Sequence, residues 1–307
     1  METLYITHPV CRLHEMGAWH PESPLRLDAI SDQLLASGLM SFLTPVQAHA
    51  ATPEDILRVH TPDYLAYLRQ HAPAHGYFPV DPDTIMNPDT LQAAWMAAGA
   101  GLTALDEILA GHGQTAFCAI RPPGHHARPG QALGFCFFNN IAVTARYALK
   151  HYGLERIAIV DFDVHHGNGT EEAFVHEDRV IMCSFYQYPL FPNSRQDNPG
   201  PNMINIPVDA YSDGEAIRRL VSDHWLPALS RFQPQLILVS AGFDAHREDD
   251  MGSLKLVEAD YAWITERLVE IAQGSAQGRI ISFLEGGYNL SALGRSVVAH
   301  VRALGGY

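Results

Sequence analysis

Four short apolar runs, each followed at once by polar or glycine-rich residues, constrain the fold of this 307-residue chain most strongly. Apolar runs of this length predict strands that are buried on both faces, as in parallel sheets. Because helical segments separate them, we predict an α/β fold, a mostly parallel, doubly wound sheet flanked by helices. The carboxyl ends of such strands meet at one edge, where ligands bind. The runs with their loops are AFCAIRPPGHHA, IAIVDFDVHHGNG, LILVSAGFDA and IISFLEGGYN.

The stretch from Ile157 to Thr170 is the most informative of the four. It begins as a buried strand and continues as DFDVHHGNGT. Asp161, Asp163 and His165 alternate, so an extended backbone would point their side chains to one side. Two carboxylates and an imidazole there form half of a metal site. A capped strand-to-helix turn with hydrogen-bonded polar groups explains the same residues, and this stretch alone does not decide between the two.

Composition favours one domain that spans residues 1–307. The chain is 47% hydrophobic and only 18% charged, which predicts a large core and argues against disorder. Its formal net charge of −14 argues against binding to nucleic acid, which needs a basic surface. The acidic balance suits a cationic partner, although a solvated acidic surface has the same composition.

No sequence feature indicates export or a membrane. The four cysteines form no CxxC pair, which is typical of a reducing compartment. The first residues include an acid and no long apolar run, so we predict no signal peptide. No stretch approaches the roughly 18 apolar residues of a membrane span. We therefore expect a cytoplasmic protein without membrane contact, whose oligomeric state stays open, with a homodimer among the alternatives.

Proline and glycine signals divide the chain into elements. Thr52-Pro53 and Thr61-Pro62 predict helix starts, and a helix within 213–232 should be kinked or shortened at Pro227. Residues 72–89 are predicted to be a surface loop without periodicity at the rim of a site. The other predicted helices are 25–39, 91–110, 141–152, 171–176, 260–272 and 290–304, and the predicted strands are 4–6, 116–120, 157–160, 180–185, 203–207, 236–240 and 280–284.

Titratable side chains from the four loops should meet at the predicted sheet edge. Two aspartates and one histidine would give three protein ligands with an open position, the ligand count of a catalytic zinc. Such an ion polarises a carbonyl and lowers the pKa of water. A histidine pair supplies a base and an acid, and a tyrosine after Gly-Gly can donate to an oxyanion. These residues are His125, His126, Asp163, His165, Asp244 and Tyr288.

The blocks RPPGHHA, GFCFFNN, DFDVHHGNGT, SAGFDAH and LEGGYN resemble the signature blocks of the zinc-dependent histone deacetylase superfamily. That superfamily includes bacterial acetylpolyamine amidohydrolases and shares the arginase–deacetylase fold. The blocks occur in the family's order, and the resemblance extends from HPESPLRL to the last predicted strand. HHGNGT and LEGGYN are more similar to the class II and bacterial branch than to class I.

The resemblance implies a division of roles among these residues. Asp163, His165 and Asp244 would bind zinc, although the sequence does not discriminate zinc from Fe(II). His126 would be the general base that takes a proton from water. It would then protonate the leaving amine, alone or through a proton shared with His125.

The resemblance also implies supporting residues. Asp161 would orient the first histidine of the pair and favour its charged form, whereas Asn168 would be a neutral partner for the second. Tyr288 would stabilise the tetrahedral oxyanion. His166 is interpreted as a buried orienting residue without a ligand role. Asp161 and Ser184 resemble part of the family's structural potassium site.

The implied reaction removes acetyl groups from amines on flexible aliphatic chains. The Gly134 carbonyl, Phe135 and Phe191 match the family's tunnel for such a chain, although both phenylalanines also fit core aromatics. Met251 stands where a glutamate marks one polyamine-selective branch, seven residues after the last zinc aspartate. The short chain and acidic charge still favour small acetylated polyamines over acetyl-lysine peptides of histone type.

Six acidic residues are candidates for a rim that binds a polycation, and each fits a solvated loop charge equally well. They are Glu15, Asp81, Asp83, Glu248, Asp249 and Asp250.

Two further functions compete with a zinc deacetylase. An arginase-like or agmatinase-like hydrolase with two manganese ions would need additional aspartate ligands. A binding protein that has lost catalysis would lack a ligand, the base or the tyrosine, and the sequence retains them all. Taken alone, the His125-His126 pair fits a loop that binds only backbone, and Tyr288 fits a packed strand end.

Overall fold

A single eight-stranded sheet organises the fold in the computed structural model, which describes residues 2–194 and 200–307. The strands are β1 (Thr3–Thr7), β2 (Leu43–Gln47), β3 (Phe78–Asp81), β4 (Thr84–Met86), β5 (Thr115–Cys118), β6 (Ile157–Asp161), β7 (Val180–Gln187), β8 (Met203–Val208), β9 (Leu236–Ala241) and β10 (Ile280–Leu284). The sheet order is β2-β1-β5-β10-β9-β6-β7-β8, and every neighbouring pair is parallel. The predicted parallel sheet is confirmed.

Helices connect and cover these strands. They are α1 (Leu25–Ala36), α2 (Pro53–Ile56), α3 (Pro62–His71), α4 (Thr90–Leu109), α5 (Asn140–His151), α6 (Asn168–Phe174), α7 (Gly214–Leu220), α8 (Leu226–Phe232), α9 (Glu258–Ser275) and α10 (Leu290–Gly305). Thr52 and Thr61 cap α2 and α3 with their side chains, as the Thr-Pro pairs predict. A π-helical turn, Val221–Trp225, separates α7 from α8, and Pro227 lies in the first turn of α8. The predicted interruption near Pro227 is therefore confirmed.

The four strands with informative loops are neighbours. In the sheet order β5, β10, β9 and β6 are consecutive, and all their residues are buried. Burial on both faces explains why their sequences are continuous apolar runs and do not alternate. These four strands are parallel and central in the sheet. The loops that follow them therefore all leave from the side where the strands end.

Two parts of the secondary structure differ from the prediction. β2 is an edge strand with the partly exposed sequence LTPVQ, in which Pro45 lacks a ladder donor and so suits an edge. Residues 72–89 are not structureless, because β3 and β4 pair there as an antiparallel hairpin. The hairpin is tied to the rest of the chain, since Thr84 Oγ1 accepts a hydrogen bond from Phe135 N at 3.0 Å.

Helix length and hydropathy also bear on the membrane prediction. Within residues 2–194 and 200–307, none of the helices combines the length and the apolar character that crossing a bilayer requires.

The helical glycines Gly99 and Gly274 should respond oppositely to substitution by alanine. A Cβ atom on Gly99 in α4 would lie 1.9 Å from His49 O, whereas one on Gly274 in α9 would have nothing within 4 Å. We expect Gly99→Ala to lower the free energy of unfolding by about 1–3 kcal/mol through overpacking. Gly274→Ala should raise it by about 0.5–1 kcal/mol, the intrinsic helix preference. Urea unfolding followed by circular dichroism measures both changes. If the two substitutions change the free energy of unfolding in the same direction, this description of the packing is wrong.

Candidate active site

Three ligand-type side chains converge at the edge of the sheet. One donor atom from each of Asp163, His165 and Asp244 lies within 4.8 Å of the others, and all three residues are buried. His165 Nδ1 is 3.0 Å from Asp163 Oδ1 and 3.1 Å from Asp244 Oδ2. Two carboxylates and one imidazole are ligands that suit zinc, and three protein ligands leave a position for water or substrate. Within the described ranges, this is the one group of three or more histidine, cysteine, aspartate or glutamate residues that could hold a metal ion.

Two glycines make room for the carboxylates. A Cβ on Gly242 would lie 2.0 Å from Asp163 Oδ2, and one on Gly286 would lie 2.0 Å from Asp244 Oδ2. Gly286 N also donates a hydrogen bond to Asp163 Oδ2 at 2.8 Å. The glycines of SAGFD and LEGGYN therefore let two loops approach the ligands closely.

The electrostatics of this cluster fit a cation. Burial, reinforced by the negative charge of Asp163, raises the pKa of Asp244 to about 7. Two buried carboxylates side by side repel each other, and a divalent ion among them would remove that cost. The donor set and its charge therefore match a metal such as zinc.

The histidine pair has two distinct environments. The rings of His125 and His126 are 4.0 Å apart. His125 Nδ1 is 2.9 Å from Asp161 Oδ2, whereas His126 Nδ1 is 2.8 Å from the neutral Asn168 Oδ1. Both predicted orienting contacts are present in the structure.

These environments separate the two pKa values. Burial alone would lower the pKa of His125, but the charges of Asp161 and Asp163 raise it to about 10. Burial and the charge of His125 lower the pKa of His126 well below its usual range. The two pKa values are thus shifted in opposite directions, an arrangement that suits proton transfer.

A cavity of about 150 Å³ leads to these groups. Gly134 adopts a left-handed backbone with φ +53°, and a Cβ there would lie 2.5 Å from His126 Cδ2, so glycine is required. The Phe191 ring meets His126 edge-on at 5.2 Å. The cavity is lined by Asp83, His126, Gly134, Phe135, His165, Phe191, Met251 and Tyr288.

Tyr288 lines the same cavity as His126 and His165. Its ring is 5.9 Å from the ring of Phe135, and the Arg26 guanidinium carbon lies 5.0 Å above it. Burial and the charge of Asp244 raise the pKa of the phenol well above 10, so the hydroxyl stays protonated and can donate a hydrogen bond.

The remaining predicted residues lie beside this centre. Asp161 and Ser184 are register partners on β6 and β7, and Ser184 Oγ donates to Asn205 Oδ1 at 2.9 Å. His166 is buried, bonds Ser194 Oγ at 2.8 Å and Glu171 Oε2 at 3.1 Å, and does not belong to the ligand cluster.

The six acidic candidates for a rim are not equivalent. Among them Asp83 alone lines the cavity. Glu15 bonds Gly17 N and the Tyr77 hydroxyl, and Glu248 pairs with Arg295 at 2.9 Å. Asp81 and Asp250 lie outside the cavity lining.

Asp249 fits neither of its two sequence interpretations, a rim charge or a solvated loop charge. It is only 5% exposed, and its carboxylate accepts hydrogen bonds from the backbone of Tyr288, Asn289 and Met251. A rim residue would be solvated, whereas this carboxylate is enclosed by backbone donors.

Sequence reasoning also missed a buried carboxylate at the end of β10. Glu285 Oε2 accepts hydrogen bonds from Gly124 N at 2.7 Å and His125 N at 3.1 Å, and Oε1 accepts one from Ser240 Oγ at 3.1 Å. It thereby joins the end of β10 to the loop after β5 and to strand β9. Its position in the LEGGYN block was the available signal, but a motif does not give its partners.

Comparison with known proteins agrees with this geometry. The family model for the histone deacetylase domain matches residues 20–304. A histone deacetylase-like amidohydrolase of Pseudomonas aeruginosa is 37% identical over 286 residues, covering 89% of this chain and 73% of that protein. Polyamine deacetylase HDAC10 of Mus musculus is 36% identical over 304 residues, covering 92% of this chain but 44% of that longer protein.

A solved structure extends the comparison to the fold. The crystal structure of the HDA15 HD domain superposes with a TM-score of 0.92 at 31% identity, over 99% of this chain and 90% of that one. The eight-stranded parallel sheet is therefore that of the arginase–deacetylase fold. This chain belongs to the histone deacetylase family and is a hydrolytic deacetylase.

Proposed function

We propose that this enzyme is a zinc-dependent amidohydrolase that removes acetyl groups from amines on flexible aliphatic chains. The observation that carries the proposal is the buried cluster of Asp163, His165 and Asp244, whose histidine lines a cavity together with His126 and Tyr288. When bound there, zinc would supply Lewis-acid activation of water and of the acetyl carbonyl.

The protein's own groups would divide the proton transfers and the charge stabilisation. His126, held as a free base by its surroundings, removes the proton of the attacking water. His126 then gives that proton to the departing amine, alone or through a proton shared with the charged His125. Tyr288 donates a hydrogen bond to the oxyanion as the carbonyl carbon becomes tetrahedral. Asp161 and Asn168 orient the two rings.

We infer that the preferred substrate is a small acetylated polyamine, with acetyl-lysine peptides as the alternative. Phe135 and Phe191 on the cavity wall suit a methylene chain, and Asp83 provides a carboxylate for a distal ammonium group. The polyamine deacetylase among the relatives gives this choice some support. Met251 stands where a glutamate marks one polyamine-selective branch of the family. Because this chain lacks that glutamate, selectivity would depend on Asp83.

The proposal includes several subsidiary assignments. Asp161 and Ser184 would belong to a structural potassium site, and residues 1–307 would form one catalytic domain. We propose a cytoplasmic location, which the four buried cysteines support because each is a free thiol. No nucleic-acid or membrane partner belongs to the proposal, and a homodimer remains an alternative to the monomer.

Removal of the Tyr288 hydroxyl tests the oxyanion role. Tyr288→Phe should keep the bound metal and lose about two or more decades of kcat, because an oxyanion donor is worth that much. Asp163→Ala should lose the metal itself. Metal analysis and steady-state kinetics on an acetylamine measure both, with Tyr211→Phe on the exposed surface as an active control. A fully active Tyr288→Phe variant would refute the role.

A carboxylate beside His126 should shift the pH profile. Asn168→Asp places a negative charge 2.8 Å from Nδ1, which favours the imidazolium and raises the pKa of His126. Since the base must be neutral, the acid limb of kcat/KM should move to higher pH. Asn168→Ala removes the acceptor without adding charge and should not move the limb upwards. An unmoved limb in Asn168→Asp would contradict the assignment of His126 as the base.

A substrate panel tests the polyamine preference. We expect kcat/KM on acetylputrescine and acetylcadaverine to exceed that on an acetyl-lysine peptide, and a tenfold preference for the peptide would overturn the inference. Asp83→Asn should lower kcat/KM for acetylputrescine roughly fivefold, equivalent to about 1 kcal/mol, and leave neutral N-butylacetamide unchanged. Asp81→Asn, which removes the same charge outside the cavity, is the matched control.

A further inference from the structure

Tyr288 lies on a backbone segment that has little rigidity of its own. It follows Gly286 and Gly287, and Gly287 has φ +116°, a conformation that only glycine adopts freely. Tyr288 N and Asn289 N precede α10, so neither has an acceptor within that helix. The position of the phenol therefore depends on contacts from other parts of the chain.

Asp249 supplies those contacts. Its Oδ2 accepts hydrogen bonds from Tyr288 N at 2.6 Å and Asn289 N at 2.9 Å. Its Oδ1 accepts one from Met251 N at 3.0 Å. A buried carboxylate that accepts three backbone donors forms charge-assisted bonds, which are stronger than bonds between neutral groups.

The same carboxylate connects two sides of the cavity. Tyr288 and Met251 both line it, one after β10 and the other after β9, whereas Asp249 itself does not. Asn289 Nδ2 adds a bond to Glu248 O at 2.9 Å, so the two loops are joined at neighbouring positions. Asp249 contacts the cavity wall through the backbone donors of Tyr288 and Met251.

We propose that Asp249 is a positioning residue of the deacetylase reaction, which fixes the Tyr288 backbone so that the phenol hydroxyl reaches the oxyanion. This proposal rests on the oxyanion role assigned to Tyr288 above. Asp250, the next residue, has the same charge but is exposed and does not line the cavity. The two adjacent aspartates form a natural comparison.

Asp249→Asn replaces one accepting oxygen with an NH2 group that faces backbone donors. We expect kcat to fall about tenfold or more, since small misplacements of a catalytic group cost this much. Asp250→Asn removes the same charge and should stay within about twofold of the parent enzyme. Metal content should be retained in both, whereas the melting temperature should fall in Asp249→Asn, which loses buried backbone hydrogen bonds, and stay unchanged in Asp250→Asn. Should Asp249→Asn fail to fold, Asp249→Glu keeps the charge, displaces the acceptor by one methylene and should also lower kcat.

A double-mutant cycle separates positioning from a general structural effect. In a Tyr288→Phe background, Asp249→Asn should cost no more than about twofold further, because the hydroxyl that it positions is already absent. A loss of equal size in both backgrounds, or a parental kcat for Asp249→Asn and Asp249→Glu, would refute the proposal while leaving the oxyanion role intact. A fully active Tyr288→Phe variant would instead refute the oxyanion role, and the positioning proposal with it.

Discussion

The burial of two neighbouring carboxylates is the constraint on which the rest of the site depends. Asp163 and Asp244 lie at the ends of different strands, and each would be costly to bury without a counter-charge. Three features offset this cost. His165 lies between the two carboxylates, a backbone N–H donates a hydrogen bond, and glycines let the neighbouring loops approach the carboxylates closely. Residual negative charge at such a point makes a divalent cation a favourable occupant.

The sheet topology explains how one small volume receives groups from four distant segments. β5, β10, β9 and β6 are adjacent and parallel, so their carboxyl ends open onto the same place. Each loop then contributes a different chemical type: imidazoles after β5, ligands after β6 and β9, and a phenol after β10. The two imidazole rings are only 4.0 Å apart, but they have different partners, Asp161 and Asn168. Their pKa values are therefore shifted in opposite directions.

The burial of a strand determines how well the sequence predicts it. Strands buried on both faces, such as β6 and β9, are continuous apolar runs, and their ends carry the ligands, so the sheet and the convergence of the loops were predictable. β2 was not, because the half-exposed LTPVQ of an edge strand lacks that signal. The β3–β4 hairpin was missed because its Pro and Asp residues are also typical of loops.

The residues that join one loop to another were the least predictable, because their role is defined by partners far away in sequence. Glu285 bonds the loop after β5 and Ser240 of β9, and Arg26 donates to Glu285 O at 2.5 Å and to Gly287 O at 2.6 Å. Asp249 accepts a hydrogen bond from Tyr288 N in the loop after β10. When only the sequence is known, acidic side chains near the site suggest that they bind a cationic substrate. Asp249 instead accepts backbone hydrogen bonds from the segment that carries Tyr288, and Glu285 accepts them from the segment that carries His125.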